Sequence, residues 1–242
     1  MRRPALILAL LLALPAPAAA IVGDAPEIPD VKNEPEVMFV GSRGNFCTGV
    51  LIAHDLVLTA AHCVLPGAIY KRAELDADKK PIFFDTVAIA RHPQFNLKTL
   101  LAHRATADVA LIKLAAPLPA APAQLPPPRP RVKPGERFVL HGYGMSVQGD
   151  PNTSARLRKA ALIATGQPGN LQLRLVDPRT GGTRAGLSAC TGDSGAPVYQ
   201  ESAAGLAIVG VVSWSTGPNL EAGWGGLTGV TPLELYRGWI EE

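Results

Sequence analysis

Thr191-Gly192-Asp193-Ser194-Gly195-Ala196-Pro197 sets a serine directly after an aspartate and brackets the pair with glycines. Glycine adopts positive φ without penalty and lets other atoms come close to the backbone. A tight turn of this composition can aim a serine hydroxyl and neighbouring backbone N–H groups at one point. A nucleophile with donors for a developing oxyanion needs that arrangement.

Two further segments supply what a serine nucleophile lacks. Leu58-Thr59-Ala60-Ala61-His62-Cys63 carries a histidine, the side chain that exchanges protons near neutral pH. Ala107-Asp108-Val109-Ala110-Leu111-Ile112-Lys113-Leu114 carries an aspartate at the head of an apolar run. With Ile21-Val22-Gly23-Asp24 and Val211-Val212-Ser213-Trp214, these stretches closely resemble the chymotrypsin/trypsin family of serine peptidases. The order His62, Asp108, Ser194 separates this pattern from the subtilisin and α/β-hydrolase orders. The resemblance extends over nearly all of the chain after residue 20.

The resemblance implies an all-β fold: two antiparallel six-stranded β-barrels with the active site in the cleft between them, plus a C-terminal α-helix. It implies that Ser194 attacks, that His62 acts as general base and acid, and that Asp108 orients the imidazole. The N–H groups of Gly192 and Ser194 would form the oxyanion hole. Ser213 matches a serine near the triad aspartate, and Gly142-Tyr143-Gly144 matches a Gly-aromatic-Gly turn beside the active site. Cys47 and Cys63 match a disulfide pair. Cys190 matches one half of a second bridge, but its usual partner region, 215–225, has no cysteine, so Cys190 is expected as a buried free thiol.

The expected substrate pocket comprises Ser188, Ser213, Trp214, Ser215 and Gly226. Ser188 falls where trypsin-like relatives carry an aspartate. Burying a substrate arginine without a carboxylate is costly, so cleavage after uncharged residues, apolar or small, is expected. Ser215 stands where glycine is usual, which would narrow the pocket. The resemblance further implies that a free Ile21 ammonium pairs with Asp193 to order the oxyanion hole. Polypeptides are the expected substrates and protein protease inhibitors the expected further partners, with no cofactor and no metal; the chain is expected to be a monomer. The competing class is a non-catalytic homologue that keeps the fold for binding, but His62, Asp108, Ser194 and Gly192 are all present.

Composition agrees with an exported globular protein. The 242 residues are 47% hydrophobic but only 5% aromatic, so aliphatic side chains must fill the core. The first twenty residues read as a signal peptide: Arg2 and Arg3, then an apolar run from Ala5 to Leu14, then Pro15-Ala16-Pro17-Ala18-Ala19-Ala20. The run is short for a membrane span. Export to the periplasm or the medium is expected, with no membrane attachment once the leader is removed. The formal charge of +3 includes Arg2 and Arg3; without them 21 basic residues face 20 acidic ones, and nothing argues for nucleic-acid binding.

Between turn residues, short apolar runs mark strand candidates at 37–40, 48–52, 56–59, 87–90 and 109–114. In the second half they lie at 138–141, 156–163, 171–175, 197–199 and 207–213. Ala115–Pro134, rich in proline and alanine, reads as a connector. The expected halves are 21–118, carrying His62 and Asp108, and 119–242, carrying Ser194. Thr231-Pro232-Leu233-Glu234 has the form of a capping box, predicting a helix with Leu233, Tyr236, Trp239 and Ile240 on one packed face. His54, His92, His103 and His141 read as structural or surface histidines. The alternating Glu74, Asp76 and Asp78, with Lys71, Arg72, Lys79 and Lys80 nearby, read as a solvated loop rather than a calcium site.

Overall fold

A computed structural model of the chain describes residues 21–125, 131–166, 171–202 and 205–242. The leader expected over 1–20 lies outside the described residues. Strands β1 (Glu36–Gly41), β2 (Phe46–Ala53), β3 (Leu56–Thr59), β4 (Tyr70–Leu75), β5 (Pro81–Arg91) and β6 (Ala110–Leu114) close one barrel in the order β1-β2-β3-β6-β5-β4. Strands β7 (Arg137–Gly142), β8 (Arg158–Ala164), β9 (Leu173–Val176), β10 (Pro197–Ser202), β11 (Gly205–Ser215) and β12 (Thr228–Pro232) close a second in the order β10-β11-β12-β9-β8-β7. All the strand pairs are antiparallel.

The two-residue period of a strand sends alternate side chains to opposite faces. On β1, Val37 and Phe39 enter the first barrel's core with Leu51, Val57 and Ile112. Met38 and Val40, one step out of phase, pack instead with Leu157 and Tyr143 of the second half. Val50 and Leu58 likewise turn outward and meet Tyr199, Ile208 and Val211. The barrels are therefore joined by apolar seams built from the outer faces of their own strands. The second core is aliphatic apart from Phe138, as the low aromatic content requires.

Two strands have no counterpart in the sequence reading, and a third starts earlier than read. β4, Tyr-Lys-Arg-Ala-Glu-Leu, is interleaved with charge, and buried Arg72 lies 3.9 Å from the Phe84 ring centre while also pairing with Glu74. β12 contains Gly229 and ends in Pro232, both turn signals; Gly229 is required because a Cβ there would lie 2.1 Å from the Trp214 ring. β5 starts at Pro81 rather than at 87. Between β4 and β5, Asp76 Oδ1 accepts the N–H groups of Asp78 (2.9 Å) and Lys80 (2.8 Å), which closes the turn.

The C-terminal helix corrects the capping-box expectation. Thr231 pairs with Val211 and Pro232 with Gly210, so the ladder holds both extended. The chain then makes a 3₁₀ turn over Leu233–Tyr236, with no side-chain cap, before helix α2 (Arg237–Glu241). The packed face forms as expected: Leu233 and Ile240 are buried, with Tyr236 and Trp239 half-buried, against Tyr199, Ile208 and Val211. A short helix α1 (Leu97–Leu101) was not legible; Asn96 caps it by accepting Thr99 N–H at 3.1 Å. Part of the connector is pinned by Leu118 N–H to His54 O (2.7 Å), Ala123 N–H to Leu51 O (2.9 Å) and Ile208 N–H to Gln124 O (3.0 Å). No helix among the described residues is long and apolar enough to cross a membrane.

Candidate active site

Three separate elements bring His62, Asp108 and Ser194 to the seam between the barrels. His62 lies in the 3₁₀ turn Ala61–Val64 after β3, and the Cys47–Cys63 disulfide ties that turn to β2. Asp108 lies two residues before β6 and is fully buried. Its Oδ1 accepts His62 N–H at 2.9 Å, and its Oδ2 accepts His62 Nδ1 at 2.8 Å and Ser213 Oγ at 2.6 Å. An ionised carboxylate only accepts, so Nδ1 carries the proton, and in the neutral imidazole the lone pair is then on Nε2. The backbone contact and Ser213 leave the carboxylate little freedom, which in turn fixes the ring.

Ser194 sits in a turn clamped from both sides. Thr48 N–H on β2 donates to Ser194 O at 3.0 Å, and Thr48 Oγ1 donates to Gly192 O at 2.8 Å. Gly195 N–H donates to Val212 O at 2.8 Å. Gly192 has φ +96°, and a Cβ on it would meet the Phe46 ring at 2.5 Å. Among the described residues neither Gly192 N–H nor Ser194 N–H has an acceptor, and no hydrogen bond joins Ser194 to His62. Catalytic hydrogen bonds of this kind commonly tighten only with substrate in place.

Asp193 faces the other way, into the second barrel. It is completely buried, accepting Gly144 N–H on Oδ1 and Cys190 N–H on Oδ2, both at 2.8 Å. Its carboxyl packs so tightly on the Gly142-Tyr143-Gly144 turn that a Cβ on Gly142 would lie 2.1 Å from Oδ1, and one on Gly144 2.5 Å from Cγ. Burial pushes this carboxyl up to about 7 against the two N–H donors and Arg158, which hold it down. Ile21 is also fully buried and shares a cluster with Ala189 and Ala196, on either side of this turn.

His62, Gly192 and Ser194 open onto one cleft of about 680 Å³. Of the residues expected in a substrate pocket, Trp214 and Ser215 line it; Ser188, Ser213 and Gly226 are not among the lining residues. Ser188 is fully buried, its hydroxyl donating to Ala189 O (3.0 Å) and accepting Gly225 N–H (2.6 Å). Ser213 is spent on Asp108. Gly226 packs on Gly217 O, 1.9 Å from where its Cβ would be. The thiol of Cys190 is free and buried at the cleft wall, and burial, then the nearby Asp193, pushes it up to about 12.

Some contributors escaped the sequence reading. Thr48 was legible only as a strand residue, since its role depends on the facing turn. Trp224 and Gly223 line the cleft from a loop with no strong pattern. His103, at φ +51°, stacks on Trp214 with ring centres 4.7 Å apart. The other histidines lie outside the cleft: His54 Nδ1 meets Leu118 O at 2.9 Å, His92 packs edge-on against Tyr236 and Trp239, and buried His141 Nδ1 is hydrogen-bonded to Glu36 Oε1 at 2.9 Å.

The fold and site define a class: a two-barrel protein with a serine, a histidine and a buried aspartate gathered at the inter-barrel cleft. The sequence model described as Trypsin matches residues 29–240. Granzyme E of Mus musculus is 32% identical over 173 residues, covering 65% of this chain and 66% of its own length. Vitellin-degrading protease of Bombyx mori is 27% identical over 224 residues (85% and 78%), and anionic trypsin of Canis lupus familiaris 29% over 185 (72% and 70%). The chain belongs to the trypsin family of serine peptidases, which are hydrolases.

Proposed function

We propose that this protein is an exported endopeptidase that cleaves polypeptides through an acyl-enzyme on Ser194. Ser194 Oγ attacks the scissile carbonyl carbon while its proton passes to His62 Nε2. The Gly192 and Ser194 N–H groups receive the oxyanion. The intermediate collapses with loss of the amine, which takes the proton from His62; water, deprotonated by His62, then attacks the acyl carbon, and the acid leaves as Ser194 Oγ takes that proton back. The observation that carries this reading is the buried Asp108 carboxylate, which binds both the backbone and Nδ1 of His62 and leaves Nε2 free at the cleft that Ser194 lines. Hydrolysis of a casein or peptide-library substrate is the test: Ser194→Ala should abolish it, and hydrolysis at near wild-type rate in that variant contradicts the assignment.

The substrate side chain is uncharged, apolar or small. Among the described residues, the cleft lining includes no aspartate or glutamate, and the Ser188 hydroxyl is already bonded twice. A library profile dominated by cleavage after Lys or Arg would refute this. Protein inhibitors that present a loop to the same cleft are the expected further partners, and the chain acts as a monomer.

Removal of the leader after Ala20 would free Ile21 as the new N-terminus and so couple export to activation. Two features support this. Ile21 is buried beside the Asp193 turn, and Asp193 has no ion pair among the described residues although it is fully buried. An α-ammonium there would supply the missing charge.

A further inference from the structure

We propose that Glu34, Glu36 and His141 form a zinc-binding site at the seam between the two barrels. Glu34 and Glu36 belong to the first half, Glu36 opening β1; His141 lies on β7 of the second barrel. One donor atom from each of the three lies within 4.8 Å of the other two.

The carboxylate of Glu36 is what points to a ligand. Its side chain is fully buried. Oε1 accepts Tyr199 O–H at 2.6 Å and is also hydrogen-bonded to His141 Nδ1 at 2.9 Å. Oε2 is equally buried and has no hydrogen-bond partner. An orphaned carboxylate oxygen in a protein interior is costly, and this carboxylate is grouped with a second carboxylate and an imidazole.

The donor set selects the metal. An imidazole nitrogen with two carboxylates suits zinc; calcium and magnesium take oxygen donors. Tetrahedral zinc at about 2.1 Å from each donor sets them roughly 3.4 Å apart, so the three side chains need draw in by little more than about 1 Å. Glu34, half-buried at the rim, leaves the fourth position to water. Tyr199 O–H, by holding Oε1, orients Glu36 from behind as outer groups do at metal sites. Among the described residues the other cluster of this kind, Cys47, Cys63 and His62, is excluded because both sulfurs are in the disulfide.

Such an ion would staple the barrels outside the cleft, and it does not depend on the proposed peptidase activity. The test uses the chain bearing Ser194→Ala to prevent self-cleavage, stripped with EDTA and titrated with Zn(II) by calorimetry, with melting temperature read in parallel. One Zn(II) per chain and a raised melting temperature are expected. Glu36→Gln and His141→Ala should abolish binding. Glu34→Gln should weaken it by about tenfold or more yet not lower the zinc-free melting temperature, because among the described residues its carboxylate accepts no hydrogen bond. Glu34→Gln thus keeps the test sharp if the buried variants fail to fold, and it does not touch His62, an alternative zinc ligand. Absence of stoichiometric binding to the parent overturns the site. So does an affinity unchanged by Glu34→Gln, which would place the ion elsewhere.

Discussion

Thr48 does more for the site than its plain strand context suggests. Its hydroxyl donates to Gly192 O at 2.8 Å and accepts Tyr143 N–H at 3.2 Å, and its backbone N–H holds Ser194 O. Thr48→Val keeps the shape but orphans two buried backbone groups. A stability loss of about 1–3 kcal/mol is expected, with a fall in kcat from the loosened Gly192 peptide; denaturant melts and steady-state kinetics read both. A change confined to stability would show that the hydroxyl does not set the turn. At Asp108 the expected loss is larger. Asp108→Asn removes the acceptor that fixes the His62 tautomer, so kcat should fall by about 10⁴-fold with the fold intact. Features that rest on contiguous sequence, such as the glycine-bracketed turn that holds Ser194, were legible. Residues whose role rests on what faces them were not. Ser188 and Gly226 match pocket positions by count, yet their polar or open sides are already used by neighbours.

At the scale of elements, short apolar runs bounded by turn residues made ten strands legible. β4 escaped because Lys71, Arg72 and Glu74 break the pattern, although Arg72 is itself buried over Phe84. β12 escaped because Gly229 and Pro232 signal turns, whereas the glycine is there to admit Trp214. The capping-box letters at 231–234 were outcompeted by the ladder to β11. The Cys47–Cys63 link joins β2 to the His62 turn across a sequence separation of 16. Replacing both cysteines by alanine should cost roughly 3 kcal/mol in urea unfolding. It should also lower kcat, since His62 neighbours Cys63. Unchanged stability would mean that the two elements are held by packing alone.

For the whole molecule, the buried Asp193 makes a contrast between the uncut chain and the proposed form that begins at Ile21. With the Ala20–Ile21 bond intact, its carboxyl is raised from 3.8 to about 7 by burial. The folded state then holds a proton that the unfolded state has released. Its contribution is full below 3.8 and is lost as pH rises through about 7, so the uncut chain should become less stable over that window. In the proposed pairing, a chain beginning at Ile21 would meet the carboxylate with an ammonium of ordinary pKa about 8, raised by the pairing; that stabilisation would be full below about 8 and lost as pH rises through the folded value. Melting curves of the two forms from pH 4 to 10 should therefore diverge near neutrality, and parallel curves would refute the pairing. The central claim is that Ser194 is an activated nucleophile. It is tested most directly by reacting the folded chain beginning at Ile21 with a fluorophosphonate probe and locating the adduct by mass spectrometry. The account predicts one stoichiometric adduct on Ser194, abolished by Ser194→Ala and strongly slowed by His62→Ala. Folded protein that takes up no probe, or takes it up equally well in Ser194→Ala, would contradict it.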